Sequence, residues 1–152
     1  MENRNCKERK RYNHLSEEIN AAYHELSLLF GLSDSAMIIL YTICDSGDSC
    51  LLHEICRHSG LSKQTVNSAI RKLEAEHVVY LEAVDGRNKN VCLTASGKQL
   101  ASRTAMRIIE SENEIFAAWT KQDVENYLAL TERFLTDLRE QTKKIKSEGK
   151  KQ

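Results

Sequence analysis

One stretch of this sequence, from Gly60 to Thr94, limits the possible folds more than any other. It contains a turn, a helical pattern over residues 63–76, and two short apolar runs around the turn VDGRNK. The apolar residues of the helical part recur at helical spacing, namely Val66, Ile70 and Leu73. Ser62 stands just before this helix and is suited to cap it. The stretch therefore predicts an amphipathic helix followed directly by a β-hairpin.

The outward face of this helix is polar and basic. It contains no apolar residue, and its acids, Glu74 and Glu76, come only at the far end. A surface helix in a neutral protein usually mixes charges of both signs. The face therefore indicates an anionic partner, and its candidate binding residues are Ser62, Lys63, Gln64, Thr65, Asn67, Ser68, Arg71 and Lys72.

The hairpin carries two more cations at its tip. Strands are expected over residues 78–84 and 90–94, with Arg87 at the tip and Lys89 beside it. Asp85 and Gly86 are expected to shape the turn, and Asp85 to orient Arg87 through a salt bridge.

The order of these elements is that of a winged helix-turn-helix. A short helix over residues 52–58 and a turn at Gly60 precede the basic helix, and the hairpin forms the wing. Such a second helix fits the DNA major groove, and the start of the helix with Ser62 can hold a phosphate. An arginine at the wing tip suits a narrow minor groove, where negative potential is concentrated.

Long helices are expected on either side. Residues 11–30 form an amphipathic pattern ended by Gly31, and Ser33 caps a helix over residues 34–46. Further helices are expected over residues 96–119 and 122–145. The predicted regions are a mobile basic N-terminus (1–10), a helical dimerisation region (11–33 and 96–145), a winged-helix region (34–95) and a frayed tail (146–152).

Composition agrees with a mainly α protein that has a small β-hairpin. The chain has 152 residues, no proline and six glycines. Net charge is zero, yet residues 57–107 hold nine Lys or Arg against four Asp or Glu. The longest nearly apolar stretch, Ala36 to Cys44, is too short to span a bilayer, and the charged N-terminus does not resemble a signal peptide. A cytoplasmic location without a membrane partner is therefore expected.

The stretch LLHEICRHSGLSKQTVNSAIRKLEAEHVVYLEAVDGRNKNVCLTASGKQL resembles the core of the MarR family of transcription regulators. The matching motifs are FGLS, Gly60-Leu61-Ser62 with Thr65-Val66, Leu73-Glu74, Asp85-x-Arg87 and Leu93-Thr94-x-x-Gly97. The resemblance implies a homodimer with intertwined terminal helices. It also implies a repressor, or less often an activator, that binds a palindromic site in double-stranded DNA. Two departures are His77, where the family commonly has glycine, and Leu81, where it often has arginine.

Family members are usually released from DNA by a signal, and three kinds are open here. A small aromatic effector could bind a pocket formed by Tyr23, His24, Met37 and Tyr41. Cys6 lies among cations that lower a thiol pKa, so it is a candidate redox sensor. A metal is disfavoured, because the spacings are not those of a known zinc site for the cluster Cys44, Cys50, His53, Cys56 and His58. No cofactor is expected.

The sequence also bears on two other classes of function. An enzyme is disfavoured, since no common catalytic or phosphate-binding motif occurs and Glu110-x-Glu112-x-Glu114 is typical of a solvated helix face. A winged helix can also serve only for contacts with other proteins. Salt dependence separates that case from DNA binding, because phosphate contacts make affinity fall steeply with salt.

Overall fold

A computed structural model of the chain describes the backbone of residues 4–149 and the side chains of residues 7–149. Within that range it has seven helices and three strands. The helices are α1 (Arg4–Leu29), α2 (Asp34–Asp45), α3 (Leu52–His58), α4 (Lys63–Ala75), α5 (Ala95–Arg103), α6 (Ala105–Ala118) and α7 (Lys121–Gly149). The strands are β1 (Ser49–Leu51), β2 (Val79–Ala83) and β3 (Lys89–Leu93). The chain divides into two compact units at Ile109, and each is described separately below.

In the first unit, α1 ends in a left-handed turn at Gly31. Gly31 has φ +69°, its N–H donates to the carbonyl of Leu28 at 3.1 Å, and the N–H of Leu32 donates to Ser27 at 3.0 Å. These two bonds form a Schellman motif, which favours glycine. Ser33 then accepts a hydrogen bond from Ala36 and caps α2. The predicted roles of Gly31 and Ser33 are confirmed.

The core of this unit lies between the helices and one face of a small sheet. Its largest fully buried side chains are Ile39, Leu40, Ile43, Ile55, Val66, Val79 and Val91. They come from α2, α3, α4, β2 and β3, so the short helices are held mainly by apolar packing. This packing fixes which face of α4 is turned outward.

The sheet has three antiparallel strands in the order β1-β3-β2. The hairpin of β2 and β3 was predicted. In the structure Leu81 lies opposite Val91. The strand β1 was not predicted, because residues 45–49 were assigned to a turn. It pairs with the other edge of β3, where Cys50 lies opposite Val91.

Thr94 and Gly97 join the wing to α5. The Thr94 hydroxyl accepts from the N–H of Gly97 at 2.9 Å and donates to the carbonyl of His77 at 2.6 Å. A Cβ atom added at Gly97 would overlap the carbonyl oxygen of Val78. The Leu-Thr-x-x-Gly motif is therefore explained by a close approach of α5 to the backbone just after α4.

The predicted helix over residues 96–119 is wrong in one respect, since it is two helices. The break is at Thr104, which has φ −129° and ψ −93°. Its hydroxyl is buried and donates to the carbonyl of Leu100 at 2.7 Å. Back-bonding of this kind bends helices.

The second unit contains the end of α6 and all of α7. Its aromatic rings Phe116, Trp119 and Tyr127 contact one another, with centroids 5.4–6.3 Å apart. None of the residues of α7 is buried. Its large exposed apolar side chains are Tyr127, Leu128, Leu130, Phe134, Leu135, Leu138 and Ile145.

Both terminal helices are longer than predicted. The first helix begins at Arg4 rather than at residue 11, and α7 continues to Gly149 rather than ending near 145. Segments 4–10 and 146–149, which were expected to be mobile or frayed, are thus helical. The assignment of a dimerisation region and a winged-helix region stays a prediction.

The described residues include no single helix with the length and apolar character needed to cross a membrane. By those two criteria alone, α1 and α2 meet the requirement only as a pair bent by 93°.

Candidate nucleic-acid interface

One face of α4 packs against the core, and the opposite face is exposed to solvent. Val66, Ile70 and Leu73 are 0%, 3% and 2% exposed, as their spacing predicted. Ser62 caps the helix by accepting a hydrogen bond from the N–H of Thr65 at 3.1 Å, which was also predicted. The cap and the buried stripe together set the direction of the polar face.

The predicted binding residues of α4 lie together on that outward face. All are exposed except Asn67, which is half-buried; the exposed ones are Ser62, Lys63, Gln64, Thr65, Ser68, Arg71 and Lys72. Within the part of the chain that the structure describes, none of the three cations of α4 forms an ion pair. Their charge is therefore available to an anionic partner.

One flank of α4 borders an open groove that the sequence did not predict. Its volume is about 530 Å³, and its opposite wall is the α1–α2 turn with the start of α2. The polar residues that line it are Ser33, Ser35, Gln64, Thr65, Ser68, Lys72 and Glu76. Ser35 is thus a candidate site residue that only the fold reveals, because it stands about thirty residues before α4 in the sequence.

The wing tip is held by the Asp85 carboxylate. It accepts hydrogen bonds from the backbone N–H groups of Arg87 and Asn88 at 3.0 and 2.9 Å, and from the Asn88 side chain at 2.9 Å. These hydrogen bonds lower the pKa of Asp85, and the bond from the Arg87 N–H has the largest effect. The predicted salt bridge from Asp85 to the Arg87 guanidinium is wrong, because the carboxylate binds the backbone instead.

The other residues of the wing are placed as follows. Gly86 has no left-handed backbone and has open space where a Cβ would lie, so the turn does not require glycine there. The cationic residues Arg87 and Lys89 are exposed. Leu81 is half-buried and packs against the core, so an arginine at this position would have to point elsewhere.

Comparisons with known proteins agree with this geometry. Residues 30–88, which include α2, α3, α4 and the start of the wing, match the model of the MarR family. Over these residues the chain is similar to the MarR family of regulators. No curated protein matches the sequence.

Solved structures of MarR regulators share the fold over most of the chain. AbsC of Streptomyces coelicolor, a MarR family transcriptional regulator, is 17% identical, with a TM-score of 0.71 over 91% of this chain and 96% of AbsC. MepR of S. aureus in its DNA-binding conformation is 22% identical, with a TM-score of 0.70 over 85% of this chain and 96% of MepR. BpsR of Bordetella bronchiseptica, whose DNA binding is regulated by 6-hydroxynicotinic acid, is 17% identical, with a TM-score of 0.59 over 82% of this chain and 98% of BpsR.

The four residues of the predicted effector pocket differ in their exposure and contacts. Met37 is 4% exposed and belongs to the core, and Tyr41 is half-buried against it. Tyr23 is exposed, and His24 Nδ1 lies 2.7 Å from Asp34 Oδ2. His24 therefore has a partner on α2, and the pocket stays a prediction.

The cysteines between residues 44 and 92 are mostly enclosed. Burial raises the pKa of the Cys44 thiol to about 11, so this thiol is protonated at neutral pH. Cys50 and Cys92 are buried, and Cys56 is half-buried. The side chain of Cys6 lies outside the described residues, so its predicted redox role stays a prediction.

His53 and His58 both contact Glu54, with Nε2 to carboxylate oxygen distances of 3.2 and 2.9 Å. Among the described side chains there is no group of three or more His, Cys, Asp or Glu that could hold a metal ion.

Proposed function

We propose that this chain is a sequence-specific regulator of transcription that binds double-stranded DNA as a homodimer. It acts as a repressor of a palindromic operator and is released by a small-molecule signal. The observation that carries the proposal is the outward face of α4, where Lys63, Arg71 and Lys72 have no ion-pair partner among the described residues. The similarity of residues 30–88 to the MarR family supports the same function.

In this proposal α4 enters the major groove. The major groove is about 12 Å wide and admits a helix, whose diameter with side chains is about 10–12 Å. The 13 residues of α4 extend about 20 Å along the helix axis. The centre of its outward face, Gln64, Ser68 and Arg71, meets base edges. Arginine is the side chain that most often reads guanine, through two parallel hydrogen bonds.

The groove beside α4 seats the sugar-phosphate backbone that borders the major groove. Lys72 supplies the positive charge, and the hydroxyls of Ser35 and Thr65 line the same walls. Phosphate contacts of this kind set position and register without reading sequence. The wing adds Arg87 in the adjacent minor groove and Lys89 on a phosphate.

A dimer is supported by the apolar side chains that each unit leaves exposed. On α1 the exposed apolar residues between 12 and 23 are 42–52% exposed, namely Tyr12, Leu15, Ile19 and Tyr23. On α7, Leu128, Phe134, Leu135 and Leu138 are 45–51% exposed. Exposed apolar side chains that follow one another along a helix mark an interaction surface. A second copy covers both, and two-fold symmetry places the recognition helices roughly 34 Å apart.

The releasing signal is a small aromatic molecule that binds near Tyr23, Met37 and Tyr41. The support is chemical: aromatic and thioether groups provide an apolar wall, and the tyrosine hydroxyls provide polar contacts. BpsR, which shares this fold, is regulated by such a molecule.

The proposal is tested by fluorescence anisotropy with labelled DNA from upstream of the protein's own gene and a scrambled duplex. We expect tight binding to the first only, with affinity that falls steeply as salt rises. Weak binding to both duplexes, unchanged by reduction, chelation or salt, would contradict DNA recognition and favour a module for protein contacts.

Four variants assign the contacts. Arg71→Ala should relax base preference at one position by about 1–3 kcal/mol, and Arg87→Ala should weaken binding without unfolding the chain. Lys72→Ala and Lys89→Ala should weaken binding to all sequences alike and flatten the salt dependence. Arg133→Ala on α7 is the matched control, since it removes one exposed arginine outside the winged helix. Wild-type affinity in the Arg71→Ala/Arg87→Ala double variant would refute the assignment.

A further inference from the structure

The helices α1 and α2 meet at a sharp corner, and a contact between His24 and Asp34 crosses it. The two axes are bent by 93°, with the turn at Gly31 between them. His24, on the last turns of α1, places Nδ1 2.7 Å from Oδ2 of Asp34, the first residue of α2. This hydrogen bond lowers the pKa of Asp34, burial opposes that shift, and a further side-chain hydrogen bond with Ser27 of α1 also lowers the pKa, so the carboxylate is charged at neutral pH.

The two helices at this corner have different tasks in the proposed function. α2 packs directly against the recognition helix α4 and shares its apolar core. α1 carries the exposed apolar face that a second copy would cover, along Tyr12, Leu15 and Ile19. The corner angle therefore links the dimer interface to the recognition helix.

Small changes of that angle have large consequences at a distance. The 26 residues of α1 span about 39 Å, so a rotation of about 10° at the corner displaces its far end by roughly 7 Å. Successive base pairs are about 3.4 Å apart, so such a displacement is comparable to two steps along DNA. The Schellman motif fixes the end of α1 itself, but residues 31–33 still connect it to α2 as a short turn.

We propose that the His24–Asp34 hydrogen bond is a positioning contact. It holds α1 and α2 at the angle at which the two recognition helices of a dimer match the spacing of DNA half-sites. The inference rests on the proposed function, but its first step, the corner angle, can be measured without DNA.

That first step is tested by pulsed electron-electron resonance in the full chain. Spin labels on unnatural amino acids at positions 17 and 74 report the distance between α1 and α4, because both positions are exposed and lie on these helices. Labelled chains are diluted with unlabelled protein, so that only pairs within one chain contribute. We expect one narrow distance peak for the wild type and a peak at least twofold broader for His24→Ala.

Three further variants separate the contact from a general loss of structure. His24→Asn keeps a donor near the Nδ1 position and should restore the narrow peak. Asp34→Ala removes the acceptor and should broaden the peak as His24→Ala does. His14→Ala is the matched control, because His14 pairs with Glu18 within α1 and bridges no corner. An unchanged peak in His24→Ala, or equal broadening in His14→Ala, would overturn the proposal.

The second step is tested with DNA. Duplexes carry the bound promoter site with its half-sites one base pair closer, at the natural spacing, or one base pair further apart. We expect wild type to prefer the natural spacing by at least tenfold, and His24→Ala to reduce that preference threefold or more, with recovery in His24→Asn. Equal weakening at all spacings would overturn the positioning role. Absence of wild-type binding to any duplex would instead refute the proposed function, while the resonance experiment still decides the role of the contact at the corner.

Discussion

Single residues explain why parts of this sequence match a family pattern. Gly97 is needed because α5 passes so close to the Val78 carbonyl that no side chain fits. Thr94 is needed because its hydroxyl both caps α5 and donates to the carbonyl of His77, just after α4. The spacing of this motif was visible in the sequence, but its physical reason depends on a contact between residues that are nineteen positions apart, which only the fold provides.

Gly97→Ala is expected to destabilise the first unit strongly. The added methyl group overlaps backbone rather than a flexible side chain, so the strand or α5 must shift. Overpacking of this kind costs about 1–3 kcal/mol, measured as a lower midpoint in urea unfolding. Gly86→Ala is the control, because a Cβ there meets nothing within 4 Å. Equal stability of the two variants would show that the close approach at Gly97 is not rigid.

At Gly97 the structure requires the glycine that is present, whereas at position 77 glycine would fit better than the histidine. The backbone conformation of His77 is one that glycine adopts more easily. It has φ +57° and completes a Schellman turn at the end of α4, where Val78 N–H donates to the carbonyl of Leu73 at 2.9 Å. A non-glycine residue in this conformation costs roughly 1 kcal/mol. We expect His77→Gly to raise the unfolding free energy by up to about that amount. Glu76→Gly changes the preceding residue, which has φ −83°, and should lower the unfolding free energy. A higher melting temperature for Glu76→Gly than for His77→Gly would contradict this account.

At the scale of helices and strands, the features predicted correctly are those that produce a local pattern in the sequence. The buried stripe of α4, the caps at Ser33 and Ser62, and the hairpin all follow from local pattern and are confirmed. The strand β1 was missed because three residues are too few to show alternation, and pairing with β3 creates it. The break at Thr104 was missed because its residues are helical on both sides, and only burial makes the threonine hydroxyl bond back to the helix.

The turn of the wing is held by the Asp85 carboxylate, so a change of this one residue tests how the wing is ordered. Asp85→Ala removes the acceptor for the N–H groups of Arg87 and Asn88. We expect faster motion of these amides in NMR relaxation, weaker DNA binding in the direction of Arg87→Ala, and an unchanged melting temperature. Asp85→Asn keeps one acceptor oxygen, so its amide motion and DNA affinity should lie between those of the wild type and Asp85→Ala. Rigid amides in Asp85→Ala would show that the turn is held by the strands alone.

The same carboxylate fixes how the wing depends on pH. The pKa of Asp85 is lowered in the folded chain, so its contribution is present above the pKa of the unfolded chain and is lost as pH falls through the lower folded value. The amide shifts of Arg87 and Asn88 should therefore titrate with a midpoint below about 3.9, the usual value for an aspartate. A midpoint at or above that value would contradict the hydrogen-bonded turn.

At the scale of the whole molecule, the candidate interface combines segments that are distant in the sequence. The residues of α4 were predicted because the helix presents them on one face. The groove beside them was not, since Ser33 and Ser35 come from the start of α2 and meet α4 only through the packed core. A sequence pattern finds one wall of such a site, and the second wall requires the tertiary fold.

The apolar face of α7 leads to the last expectation, which concerns assembly. If a second copy covers this face, Leu135→Glu places a charge against apolar surface in both copies at once. Leu135 is 45% exposed in the single chain. Losing about 1.5–3 kcal/mol per buried leucine, twice over, should weaken the dimer by about a hundredfold or more.

Sedimentation equilibrium measures that loss, with Ala129→Glu as the control on the opposite side of α7. Ala129 is exposed and lies half a turn away from the leucine stripe, so the same charge there should leave the dimer intact. DNA binding should follow assembly, because a monomer contacts one half-site and loses the second α4. If Leu135→Glu stays dimeric and binds palindromic DNA as the wild type does, α7 is not part of the interface, and the exposed face of α1 must form it alone.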